Sequence, residues 1–156
     1  MNNNQHELRL QVERLKNEVS ELIHFFQQDQ DYTKMMYAYW DAKDILGHLT
    51  FWHESFAKNL SDVGKGVKPN PLKGKLSEVN TLSVQSTKNE TITSLTQRLS
   101  IAQKTIEEFI FNKDITLIPY KKGSRGYSRL EHVEVVANHI HKHLKDLTKH
   151  YGTTKK

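Results

Sequence analysis

Four stretches of the chain place apolar residues at alternating steps of three and four, the spacing of one helix face. From about Glu7 to Gln27 the stripe is Leu8, Val12, Leu15, Val19, Leu22 and Phe26. From about Asp41 to Leu60 it is Ala42, Ile45, Leu46, Leu49, Trp52, Phe56 and Leu60. From about Lys88 to Phe111 it is Ile92, Leu95, Leu99, Ala102, Ile106 and Phe109. From about Arg129 to Tyr151 it is Val133, Val136, Ile140, Leu144 and Leu147. A helix with one apolar face must bury it against another element, and four such helices enclose one core. The spacing therefore predicts an all-α chain, a four-helix bundle forming one domain over residues 1–156.

Local signals frame these helices. Asp41 with Asp44, Thr87 with Glu90 and Ser128 with Glu131 read as capping pairs, and Gly64, Gly66 and Gly152 suit helix exits. Residues Ile115–Tyr120 are β-branched enough for a short extended piece. The link from Ser61 to Thr87 is about 27 residues long, against roughly 2–8 for an ordinary helix–helix turn. Its VGKGVKPNPLKGK portion is too rich in glycine and proline to be helical. Such a link can run the height of a bundle about 30 Å tall. It permits helices two and three to be parallel, in up-down-down-up order; a disordered excursion would satisfy the same length.

Composition narrows the chemistry. There is no cysteine, so a thiolate metal site or cysteine nucleophile is excluded and any metal must be held by His, Asp or Glu. No run of about 18 apolar residues suggests a membrane span, and the N-terminal stretch has no apolar signal core, so a cytoplasmic protein is expected. The net charge is +5, and two loops without acids carry much of it: Lys65, Lys68, Lys73 and Lys75 in one, Lys121, Lys122, Arg125 and Arg129 in the other. Basic loops attract phosphate-bearing partners, but they also serve solubility, which makes nucleic acid the weaker expectation. Apolar surface left over on the helices would support a homodimer.

The nine histidines are unevenly placed. His132, His139, His143 and His150 fall in one narrow stripe at the edge of the fourth helix's apolar face, with His141 pointing elsewhere. His139 and His143, at i,i+4, stand one above the other, as two helix-borne ligands of one cation must. His48 lies at the matching edge of the second helix, and the three imidazoles can meet across a cleft. Three neutral imidazoles leave coordination positions open, as a catalytic rather than a structural site requires. Imidazole suits zinc, nickel, copper or iron(II). Other schemes fail: H-E-x-x-H is absent, and Glu21-Leu-Ile-His24 is a lone Glu-x-x-His where a di-iron bundle needs two. No P-loop, dinucleotide fingerprint or G-x-S-x-G occurs.

The second helix, YWDAKDILGHLTFWHE, resembles the W-x-x-K-D-x-L-x-H-L segment of the DinB/YfiT-like superfamily, which includes the related ClbS/DfsB four-helix proteins. Trp40, Lys43, Asp44, Leu46, His48 and Leu49 carry the match, and EHVEVVANHIHKHLKDL resembles the family's closing H-x-x-x-H helix. Leu144 and Lys145 stand where family members often have Gly-Gln, and the basic loops are not part of the general pattern. The resemblance implies a metal triad of His48, His139 and His143, holding a divalent transition metal, zinc or nickel foremost. It implies an enzyme acting on a small-molecule substrate, a hydrolase or a thiol-dependent transferase. Asp44, His132 and His53 are candidate general bases. Phe51 and Trp52 are candidate pocket walls, and Tyr120, Lys121, Lys122 and Arg125 a candidate mouth for an anionic group. The rival readings are a metal-free bundle that binds or sequesters a small molecule, and a basic nucleic-acid binder.

Overall fold

The computed structural model describes residues 2–152, with side chains from residue 5 onward. Helix α1 spans Asn2–Phe25, α2 Ala42–Gly64, α3 Leu76–Thr87, α4 Ile92–Phe109 and α5 Arg129–Tyr151. A two-residue ribbon, β1 Ile118–Pro119 against β2 Gly126–Tyr127, precedes α5. The described residues are thus mostly helical, with five helices rather than the four expected. No helix among the described residues is long and apolar enough to cross a membrane.

The four expected stripes all turn inward. Leu15, Leu22, Ile45, Leu46, Leu60, Leu95, Leu99, Ile106 and Leu147 are fully buried, and one continuous cluster joins α1, α2, α4 and α5. Helix α2 packs chiefly on α4, and α1 on α5. Two caps form as the sequence indicates. Asp41 accepts from the Asp44 amide while Asp44 accepts from the Asp41 amide, and Ser128 and Glu131 do the same for α5. Gly152, at φ +81°, ends α5 in a conformation open to glycine. The third expected cap does not form. Thr91 rather than Thr87 caps α4, accepting from the Ser94 amide, so α4 starts at Ile92.

Thr87 instead closes α3, a helix inside what reads as a structureless crossover. Only Val79, Ser83, Val84 and Thr87 of α3 are buried, too few to draw an apolar stripe. Its docking depends on Gly47 in α2. A Cβ on Gly47 would collide with the Thr87 side chain, so the close approach requires glycine. Lys88, just past α3, donates to both oxygens of Asp44 at 3.0 and 3.2 Å, and Lys43 Nζ donates to the Lys88 carbonyl. These contacts hold α3 against the start of α2. Of the VGKGVKPNPLKGK portion, residues 65–75 are not helical, as expected, while Val63 and Gly64 end α2.

The Gly47→Ala variant should lose about 1–3 kcal/mol of unfolding free energy through this overpacking. Urea denaturation checks it; an unchanged midpoint would mean α3 does not rest on Gly47.

Candidate metal centre

Helix α2 carries His48 and α5 carries His139 and His143, all at edges of apolar faces that close on each other. The structure brings these three together. His48 Nε2 and His139 Nε2 lie 3.1 Å apart, and His139 Nε2 and His143 Nε2 lie 3.2 Å apart. One ligand atom from each falls within 4.8 Å of the others. Imidazole nitrogens bound tetrahedrally at about 2.0–2.1 Å stand about 3.3 Å from each other, close to the two spacings seen.

The outward nitrogens settle the tautomers. The Ser83 hydroxyl gives its one proton to the Asn80 carbonyl at 2.6 Å, so its oxygen accepts from His48 Nδ1–H at 3.0 Å. The Tyr37 hydroxyl gives its proton to Asp146 Oδ2 at 2.6 Å, so its oxygen accepts from His143 Nδ1–H at 2.9 Å. Protonated Nδ1 leaves a lone pair on Nε2 in both rings, aimed at the shared centre. Trp40 covers His48, ring centroids 4.7 Å apart.

Burial keeps these rings neutral. It is the main cause pushing His48 down to about 3 and His143 down to about 4, with neighbouring histidines adding to both, and it lowers His139 as well. Burial also raises the Tyr37 hydroxyl's pKa, and the Asp146 hydrogen bond adds to that, so Tyr37 stays a donor. A cluster of neutral, lone-pair-donating imidazoles suits a divalent transition metal and needs no proton displaced from His48 or His143.

A cavity of about 400 Å³ opens beside His139, walled by Trp52, Phe56, Tyr120, His132 and Ile140 among others. Trp52 and Tyr120 stack at 5.1 Å and 12°. Phe51 does not line this cavity; it lines a separate surface pocket with Glu54, Lys58 and Leu72. Of the candidate bases, Asp44 is committed to the α2 cap and to Lys88. His53 is buried with Nε2 on Gln103 Oε1 at 2.8 Å, and His132 lines the cavity. His141 and His150 are exposed and away from the cluster. Two loop cations are spent on backbone: Arg129 donates to the Ile110 and Ile115 carbonyls, and Lys121 Nζ to the Gly74 carbonyl. Arg125 lies over Tyr127, 4.1 Å from the ring centre.

Sequence reasoning missed Tyr37, Ser83, Asn80 and Asp146. Asp146, three residues beyond His143, shares its helix face and was legible in spacing. Tyr37 sits in the turn before α2, where no periodicity places it.

No family model, curated protein or solved structure matches the chain.

Two outcomes follow from this geometry. Tyr37→Phe and Ser83→Ala should each weaken zinc affinity by about ten- to a hundredfold in competition with a chelating dye, since each removes the acceptor that orients a ligand; unchanged affinity would show the orienting bonds to be incidental. The second concerns pH, and rests on His53 and His132, which burial pushes down to about 4 and about 3. Unfolded histidine titrates near about 6.5, so between these values protons bind the unfolded chain preferentially. Stability should be full above about pH 6.5 and fall as pH drops toward 4. Each such histidine contributes up to about 1.4 kcal/mol per pH unit, and His132→Phe should flatten the fall in urea midpoint.

Proposed function

We propose that this chain is a divalent-metal-dependent enzyme of the DinB/YfiT-like type, acting on a small molecule as a hydrolase or thiol-dependent transferase. The observation that carries the reading is the convergence of three Nε2 atoms, on buried His48 and His143 and half-buried His139, two of them fixed as lone-pair donors by Ser83 and Tyr37. The proposal takes the long helices as an up-down-down-up bundle, with α3 an addition within the crossover. His48, His139 and His143 would hold the ion, zinc or nickel.

What a bound ion supplies here is Lewis acidity, which lowers the pKa of a water or thiol reaching the open positions left by three protein ligands. The chain's own residues do the rest. Ser83 and Tyr37 hold two ligand rings in orientation, and Asp146 keeps the Tyr37 hydroxyl turned so that it accepts from His143. Trp40 and the buried ring faces exclude water from the rear of the site. The cavity beside His139 gives a substrate access from the front, with the Trp52–Tyr120 stack as a rigid wall.

Untagged protein should carry about one equivalent of transition metal per chain by elemental analysis, lost in His139→Ala and His48→Ala. Native protein that neither carries nor takes up zinc or nickel would sink the enzyme reading in favour of a metal-free small-molecule binder.

A further inference from the structure

His132 is 2% exposed, and neither ring nitrogen has a hydrogen-bond partner among the described residues. Phe56 meets the ring edge-on at 4.0 Å, Tyr127 stacks on it at 5.7 Å, and Tyr120 stands 5.9 Å away. Its Nδ1 is sealed from solvent. An N–H sealed without an acceptor is costlier than a sealed lone pair, so the proton belongs on Nε2, the nitrogen left to face the cavity that His132 lines. That leaves a buried N–H at the cavity wall which an acceptor atom of a bound molecule can pair.

Two other lining residues offer donors. Asn80 Oδ1 accepts from Trp52 Nε1 at 2.9 Å, which leaves its amide N–H₂. Lys142 lines the opening, shared with Asp146 at 3.2 Å. Asn59 is the counterexample: its nitrogen donates to the Pro119 carbonyl and its oxygen is left over. Among the described residues no carboxylate lines the cavity; Ser55, Asn138, His53 and His139 add polar groups, and the other walls are aromatic and aliphatic. The two basic loops join at this end of the molecule. Leu72 pairs with Lys121 as a parallel bridge, and the Lys122 amide donates to the Leu72 carbonyl at 2.7 Å. Each loop adjoins a residue of the cavity wall, Leu76 after one and Tyr120 at the start of the other, with Lys73, Lys75 and Lys122 exposed nearby in sequence.

From these observations we infer that the cavity takes a flat, largely apolar anion, an aromatic carboxylate or its like, whose charged group hydrogen-bonds to His132. His132 and His139 are two helical turns apart on α5, about 10 Å. A molecule of that length anchored at His132 presents its other end at the three-histidine centre. The inference rests on the proposed function only for what happens at that second end.

The test uses 2-naphthoate as probe, with 2-naphthylmethanol and 2-naphthylmethylammonium as neutral and cationic counterparts. Binding is read by calorimetry on the purified full chain, with metal content measured on the same samples. Naphthoate should bind tightest of the three. His132→Phe should weaken it by about tenfold or more, the loss of one hydrogen bond to a charged group, while metal content stays unchanged. Trp52→Leu should weaken all three probes alike, and thermal melts confirm that both variants fold. Equal affinity for the three probes, or naphthoate binding indifferent to His132→Phe, would overturn the inference. So would binding abolished by chelation and untouched by His132→Phe, which would mean that the carboxylate merely ligates the ion. Naphthoate binding that depends on His132 in a protein without metal would uphold the pocket and remove the metal reading separately.

Discussion

Burying an imidazole strips it of water, and each of its two nitrogens then needs a partner. Three imidazoles share one largely buried junction here, and that constraint organises the structure around it. Ser83 and Tyr37 satisfy the outward nitrogens of His48 and His143, which turns both remaining lone pairs inward. His139 Nε2 lies within hydrogen-bond distance of both inward nitrogens, yet it carries at most one proton for the two. A proton therefore satisfies this junction only in part, whereas a cation meeting three lone pairs satisfies it fully. The same geometry explains why burial drives all three rings toward the neutral form rather than toward charge.

Much of the molecule exists to hold those outward partners. Ser83 reaches His48 only because α3 lies flat on α2, and α3 lies flat because Gly47 has no side chain where Thr87 sits. Asp44 serves twice, capping α2 four residues before His48 and tying down Lys88 at the end of α3. On the other side, the turn before α2 carries Tyr37 to His143, where Asp146 fixes its hydroxyl. The long helices supply the ligands, and α3 and the turn before α2 orient two of them. The cavity beside His139 continues this division, with helix residues forming its floor and Tyr120 of the ribbon region its wall.

The long helices and the three converging histidines were legible because both obey helical spacing. An apolar stripe reports its own burial, and His139 and His143 at i,i+4 announce a shared face. Helix α3 was not legible for the complementary reason. Its residues LSEVNTLSVQST bury little, and Thr87 with Glu90 imitates a helix start that Thr91 and Ser94 provide instead. Tyr37 escaped because a turn residue has no period to read. The loop cations show the reverse error: Arg129 and Lys121 look like free charge in sequence, yet both are committed to backbone carbonyls.

Whether one ion is held by three imidazoles through Nε2 is tested most directly by the X-ray absorption fine structure of the zinc-loaded protein. The expected spectrum shows three imidazole shells with Zn–N at about 2.0–2.1 Å, falling to two in His48→Ala. A spectrum with one imidazole or none, or one that His48→Ala leaves unchanged, would contradict the account.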